Sequence, residues 1–346
     1  MKYNRLGTTG LFVSELGFGA MTFGENPGQP SLGALDQAEA GKLISTALEA
    51  GVNLFDTADA YAQGESERIL GEALRSFGAP RESYLIATKA FGPMGAGTND
   101  AGASRGHLMD AVKNSLKRLG TDHIDLYQIH GFDAATPMDE TLRALDDLVR
   151  QGHVRYVGVS NWAAWQVAMA LGISDRLGIS RLSSVQAYYS IAGRDLEREI
   201  APLLLDQGLG LLVWSPLAGG FLSGKKRRGS DAPEGSRWAA NAFPPLDQER
   251  TYDALDIMQP IASAHGASIA QVALAWLLHQ KVVSSVLIGA KRMDQLVDNL
   301  GAANIALATD ELAAIANVSK LPAEYPGWMI DMWGQARSIQ LAASNR

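Results

Sequence analysis

The chain has 346 residues and no cysteine, with 30 Lys and Arg against 37 Asp and Glu, a formal net charge of −7. Without thiols, disulfides, thiolate zinc sites, iron–sulfur clusters and cysteine nucleophiles are excluded. The acidic balance argues against nucleic-acid and anionic-membrane partners, while leaving room for a local basic pocket. With 47 % hydrophobic and 19 % charged residues, the composition is that of a globular protein able to bury a large core. At roughly 150 residues per domain the length suggests two domains, but α/β barrels of this size form one.

The amino terminus has no basic stretch followed by an apolar run, so no signal peptide is expected. Segments 3–5 and 11–13 flank a Gly-Thr-Thr-Gly turn and predict a small hairpin. Strand and helix patterns then alternate. Strands are predicted at 16–19, 52–56, 84–89, 125–130, 154–160, 183–187, 210–214 and 286–289. Helices are predicted at 36–50, 65–77, 105–119, 138–151, 162–177, 195–207 and 268–280, many closed by a glycine such as Gly78, Gly120 or Gly208. The uncharged stretch 207–224 is broken by Pro216 and several glycines, too interrupted to span a membrane. An insert rich in Gly, Pro and charge occupies 224–266 and ends in a helix from Gln248. A soluble, cytoplasmic protein is expected. Eight strands joined by helical crossovers predict a parallel sheet, and eight strands also close a barrel. Strand counting alone leaves the open, doubly wound sheet as the alternative.

Polar residues gather where these strands end. Asp56, with Asp59 and Tyr61 beyond it, follows the second strand, Lys89 ends the third and His130 the fourth. A carboxylate, an ammonium and an imidazole ending successive buried strands must pair with one another or lose hydration together. Singly, each has an ordinary reading as a cap, a snorkelling lysine, a loop histidine or packing. Jointly they form a proton-transfer constellation: a nearby ammonium favours the phenolate of a tyrosine, whose reference pKa of about 10 makes it a poor acid, and the carboxylate orients the lysine.

Other chemistries fit less well. Gly17-Phe-Gly19 lacks the third glycine of a dinucleotide-binding fingerprint, and no G-x-S-x-G elbow is present. Gly219 to Lys225 matches a phosphate loop, but Lys226 stands where Ser or Thr should bind magnesium; what remains is a glycine-rich loop able to approach an anion. No metal is expected, because Lys89 would oppose a cation beside Asp56, Asp59 and His130. Lys291 and Arg292 precede a short helical pattern, 293–299, where cations oppose the helix dipole and an anion is stabilised. A bound phosphate answers that conflict, against the plainer reading of a solvated basic pair.

These motifs resemble the aldo-keto reductase family over nearly the whole chain. The resemblance is carried by Leu16-Gly-Phe-Gly-Ala-Met-Thr-Phe-Gly24, Asn53-Leu-Phe-Asp-Thr-Ala-Asp-Ala-Tyr61 with Gly64-Glu-Ser-Glu-Arg-Ile-Leu-Gly71, and Asp125-Leu-Tyr-Gln-Ile-His130. Further along, Gly152-His-Val-Arg-Tyr-Val-Gly-Val-Ser-Asn161, Gln186 with Tyr189-Ser190, Trp214-Ser-Pro-Leu217 and Gly289-Ala-Lys-Arg-Met-Asp-Gln-Leu-Val-Asp-Asn299 follow in the family's order. It implies a (β/α)8 TIM barrel as one domain over 1–346, with the hairpin in front, the insert after the seventh strand and an aromatic tail. It implies a tetrad of Asp56, Tyr61, Lys89 and His130, with Tyr61 the general acid in carbonyl reduction, Lys89 held by Asp56 and His130 orienting the carbonyl. For the cofactor, NADP(H), it implies Ser160, Asn161 and Gln186 at the nicotinamide carboxamide and Trp214 on the ring. Ser215, Leu217, Gly219, Ser223 and Lys225 would line the pyrophosphate, and Gly289, Lys291, Arg292, Gln295, Asp298 and Asn299 the adenosine end.

Two departures border the substrate mouth: Ala62 where many relatives have glycine, and Gly131-Phe132 after the histidine. For the substrate, a small carbonyl or alcohol, an apolar wall is expected from Phe23, Phe132, Trp238 and Trp328 of the aromatic tail; the tail's plainer reading is packing across the barrel. Two other functions are weighed against the reductase. One is a cofactor-bound regulatory subunit like the potassium-channel beta subunits that resemble this family, which carry an amino-terminal extension before the barrel. The other is a cofactor-free isomerase or lyase.

Overall fold

The computed structural model describes residues 1–26, 34–230, 238 and 241–344. A hairpin of β1 (Tyr3–Arg5) and β2 (Phe12–Ser14) precedes eight barrel strands: β3 (Leu16–Gly19), β4 (Leu54–Asp56), β5 (Leu85–Ala90), β6 (Ile124–Ile129), β7 (Val154–Ser160), β8 (Ser184–Tyr188), β9 (Gly210–Trp214) and β10 (Val283–Ile288). Each strand pairs in parallel with its neighbour in sequence, and β10 pairs with β3 to close the barrel. The open sheet is thereby excluded.

Around it lie α1 (Gln37–Glu49), α2 (Glu65–Phe77), α3 (Arg105–Leu119), α4 (Met138–Arg150), α5 (Ala164–Leu177), α6 (Ile200–Gln207), α7 (Gln248–Ala264) and α8 (Ile269–Leu278). The chain continues through α9 (Met293–Gly301), α10 (Thr309–Val318) and α11 (Gly327–Ser344). Among the described residues no single helix is long and apolar enough to cross a membrane. The predicted glycine stops hold: α2, α3, α5 and α6 each end on a left-handed glycine.

The period-two alternation of the strands divides the apolar residues between two cores. Phe18, Phe55, Ile86, Tyr127, Val157, Val185, Leu211 and Val286 belong to the core shared with the helices. Leu54, Ala87, Leu126, Leu212 and Leu287 form a separate interior cluster with Leu6 and Val13 of the hairpin segment. The hairpin is thus the floor of the barrel, tied on by Asn4 Nδ2 donating to the Ser284 carbonyl (3.0 Å) and the Ser14 amide donating to Asn53 Oδ1 (2.7 Å).

Several boundaries move for local reasons. The second barrel strand begins at Leu54 because Asn53 turns to the hairpin, its amide donating to Ser14 Oγ. The helix predicted over 195–207 is a 3-10 turn, Asp195–Glu197, followed by α6. Pro202 has no N–H to donate, and starting the helix at Ile200 puts it in the first turn, where that donor is not needed. The last strand begins at Val283, which already pairs with Leu211 of β9, and Ser285 lies against Gly17, where a Cβ would crowd Leu287 and Ser285. Of the predicted insert, 231–237 and 239–240 lie outside the described residues. The tail forms α11, with Trp328 46 % exposed, and does not pack across the barrel.

Gly71 of α2 lies directly on the main chain of Leu119, where α3 ends. Gly71→Ala should therefore lower stability in urea unfolding by about 1–3 kcal/mol. Gly172→Ala, on an exposed position of α5 where a Cβ meets nothing, should raise it by about 0.5–1 kcal/mol.

Candidate active site

The carboxyl-terminal ends of the strands carry a polar layer inside the barrel. Lys89 Nζ donates to Asp56 Oδ1 at 2.5 Å and to the Thr57 carbonyl at 2.8 Å. Asp56 Oδ2 accepts from Gln186 Nε2 at 2.9 Å and Gln128 Nε2 at 3.2 Å. Lys89 is 0 % and Asp56 3 % exposed, so the ion pair is out of water and its remaining lone pairs are met by the two amides. Burial alone would favour the neutral amine. The Asp56 carboxylate and the Tyr61 phenol, each also hydrogen-bonded to Lys89, outweigh it and hold the ammonium above the ordinary lysine range.

Tyr61 stands on the turn between β4 and α2. Its ring centroid is 5.1 Å from Lys89 Nζ, and its ring meets that of His130 edge-on at 5.6 Å. Behind it the chain runs through three left-handed residues, Ala62 (φ 48°), Gln63 (φ 53°) and Gly64 (φ 90°), before α2 begins. The departure at Ala62 therefore falls where the backbone favours glycine, a strained conformation held by its surroundings. His130 is anchored by its amide to the Ala90 carbonyl (3.0 Å). Burial, with a smaller contribution from the Lys89 charge, brings its pKa down to about 3, so the imidazole is neutral near pH 7 and can donate one hydrogen bond.

A cavity of about 770 Å3 opens beside this group. Asp56, Tyr61 and His130 line it, and so does every residue predicted at the cofactor, from Ser160 and Asn161 through the 215–225 loop to Lys291, Arg292 and Asn299. Lys89 sits behind, fully buried. Asn161 uses both ends of its amide, donating to the His130 carbonyl and accepting from Trp214 Nε1, each at 3.1 Å. The glycine loop is drawn tight by Ser215 Oγ, which accepts from the Gly219 amide, while Gly219 and Gly220 are left-handed. Where the sequence left Lys291 and Arg292 opposing a helix start, Arg292 finds a partner within the chain, the Asp294 carboxylate.

The residues expected to form a substrate wall take different places in the structure. Phe23 is drawn inward by its bridge to Leu35 and packs on Phe18, fully buried. Phe132 turns edge-on to Trp162 at 5.2 Å, and Trp328 is carried away on α11, whose approach is tied down by Arg198 to Glu324. None of the three lines the cavity. Trp238 does, but beside the glycine loop, edge-on to Phe221. The ring found near Trp214 is Phe243, parallel to it with centroids 6.0 Å apart, and Tyr188 lies 5.2 Å from Trp214 as well. Sequence reading also missed Gln128. Its signal was present: an amide between Leu126 and His130, on the inward alternation of a wholly buried strand.

Asp59, two residues before Tyr61, is fully buried, and both its carboxyl oxygens lack a hydrogen-bond partner. Glu67 of α2, Arg118 of α3, Lys89 of β5 and the phenol of Tyr127 on β6 surround it. Burial, reinforced by Glu67, raises its pKa to about 7. Between about pH 4 and 7 the folded chain thus holds a proton that the unfolded chain has released, so this group's contribution to stability falls as pH rises through that window. Asp59→Asn should be stabilised relative to the parent, and the gap should widen by about 3 kcal/mol between pH 5 and pH 8.5 in thermal or denaturant unfolding.

The sequence model of the aldo/keto reductase family matches residues 15–320. A rice (Oryza sativa subsp. japonica) protein named as a probable voltage-gated potassium channel subunit beta is 39 % identical over 88 % of this chain and 92 % of its own. The versiconal hemiacetal acetate reductase of Aspergillus parasiticus is 33 % identical over 94 % of this chain and 99 % of its own. A Bacillus subtilis (strain 168) protein named as the uncharacterized oxidoreductase YrpG is 36 % identical over 92 % of this chain and 96 % of its own. With the eight-stranded barrel and a family match spanning most of its length, this chain belongs to the aldo/keto reductase family.

Proposed function

We propose that the protein reduces a small aldehyde or ketone with NADPH, with Tyr61 as the general acid. The observation that carries this reading is that Asp56, Tyr61 and His130, with Lys89 buried behind them on Asp56, line the same cavity as Lys225, Lys291 and Arg292. The cavity suits the cofactor by volume and chemistry. Left-handed glycines at 219 and 220 would let the backbone come close to a pyrophosphate, and Lys225, Lys291 and Arg292 on the same lining would hold the remaining phosphate.

When bound, NADPH supplies the hydride. Tyr61 gives its phenolic proton to the carbonyl oxygen, and the Lys89 ammonium beside the ring stabilises the phenolate left behind. Asp56 keeps Lys89 charged and aimed. Neutral His130 donates a second hydrogen bond to the oxygen on which charge develops. Asn161 holds Trp214 in place as a wall for the nicotinamide. Reduction is the favoured direction because the basic pair suits the 2′-phosphate of NADPH.

A second reading, a cofactor-binding regulatory subunit, is favoured by the relatives named as probable potassium-channel beta subunits, from rice and from Arabidopsis thaliana. Mixing the protein with NADPH and a panel of aldehydes and ketones separates the two. Loss of NADPH absorbance with some member supports the reductase, and tight binding with no turnover of any favours the subunit. Tyr61→Phe should lower turnover about 10²–10⁴-fold while NADPH still raises the melting temperature; parent-like turnover would remove Tyr61 from its role. Replacing Lys291 and Arg292 together by alanine should weaken NADPH at least about tenfold more than NADH. Equal weakening of both would refute the phosphate assignment.

A further inference from the structure

Arg292 immediately precedes α9, and its guanidinium grips Asp294 through two parallel hydrogen bonds, Nε to Oδ1 at 3.0 Å and Nη2 to Oδ2 at 3.1 Å. This is the fork geometry with which arginine also holds phosphate. Asp294 stands in the first turn of α9, where the helix end favours an anion. Its hydrogen bonds to Arg292, aided by the Gln295 amide, hold its carboxyl below the usual carboxylate range. The neighbouring Lys291 amide is engaged as well, donating to Gln295 Oε1 at 2.9 Å. The guanidinium and the helix start that would attract a phosphate are thus both answered by a carboxylate of the chain itself. With side chains 56 % and 68 % exposed, the pair is exchangeable rather than a piece of the core.

We propose that Asp294 is an internal competitor for the adenosine 2′-phosphate and sets how strongly the site prefers NADPH over NADH. The proposal rests on the nicotinamide-cofactor reading of this cavity. To turn the same Nε–Nη2 fork onto the phosphate, Arg292 must release the carboxylate, and a phosphate taken by its other donors lies beside that carboxylate; either way the Asp294 charge opposes NADPH. NADH carries no such phosphate and leaves the Arg292–Asp294 pair as it is. Asp294 therefore narrows the gap between the two cofactors that Lys291 and Arg292 open.

The test is to measure the dissociation constants of NADPH and NADH for the parent, Asp294→Asn and Asp294→Ser, each checked for parent-like thermal unfolding, at low and high salt. Asp294→Asn should bind NADPH about three- to tenfold more tightly and NADH no more tightly, with a smaller difference at high salt. Asp294→Ser keeps a helix-capping hydroxyl without the charge and should follow it, which separates charge from any weakening of the helix start. Unchanged NADPH affinity, or an equal shift for both cofactors, would overturn the proposal. So would weaker NADPH binding, since Asp294 would then be holding Arg292 ready for the phosphate. A parent that binds neither dinucleotide would overturn the reading of the cavity itself. A parent that binds both and ignores the substitutions would overturn only the role of Asp294.

Discussion

A lysine and an aspartate facing each other without water hold the upper half of this barrel together. Charges out of water are tolerable only with close partners, and removing one member of such a pair typically costs 3–5 kcal/mol. The Lys89–Asp56 contact therefore demands that β4 and β5 keep one register, which places Asp56 beside Ala87 and leaves Lys89 to reach back. The unmet oxygen of Asp56 demands further donors, and β6 and β8 supply Gln128 and Gln186 from across the lumen. Four strands are thereby committed to one polar layer. The apolar seal has to come from the other end, where the hairpin brings Leu6 and Val13 beneath the strands.

The turn that carries Tyr61 is built against the grain of local preference. It holds two left-handed residues that are not glycine and an aspartate buried without a partner. Such features persist where the surroundings over-determine the backbone. Here α2 does so from behind: Glu67 is anchored by Arg118 Nε at 2.6 Å and by the Thr88 hydroxyl at 2.5 Å. Gly64 lies against the Arg118 side chain, so α3 reaches the turn as well. The position of one phenol is in this way spread over β5, α2 and α3, with the Lys89 ammonium held within reach of it.

The cavity lining is rich in cations. Lys225 and Lys226, after strand β9, and Lys291 and Arg292, at the α9 start, share it with His130, Tyr61 and Trp214. That lining explains how a chain of net charge −7 can offer a basic pocket: only a few side chains on one rim are needed, and their fields are local at physiological salt. It also makes the α9 corner sensitive to a single carboxylate, because Asp294 is close enough to Arg292 to act as its counter-ion.

Much of this was legible from residue order. Alternation of strand and helix patterns located all eight barrel strands, and the glycine stops placed the helix ends, because both signals are local and periodic. The charged strand ends could be read too, since Asp, Lys and His closing successive apolar strands are costly unless they meet. What the sequence could not settle was anything that depends on which face of which element a side chain finally meets. Phe23, Phe132 and Trp328 are large and lie near the right segments, yet Phe23 turns into the core, Phe132 onto Trp162, and α11 carries Trp328 away. Phe243 reaches Trp214 from an irregular insert with no periodicity to announce it. Gln128 and the partnerless carboxyl of Asp59 acquire meaning only once strands far apart in sequence are brought together. The sequence by itself determined the family, the alternation and the chemistry at the strand ends. Only the closed barrel decided which of those side chains share one buried space, because burial and pairing belong to the packed whole rather than to any segment of it.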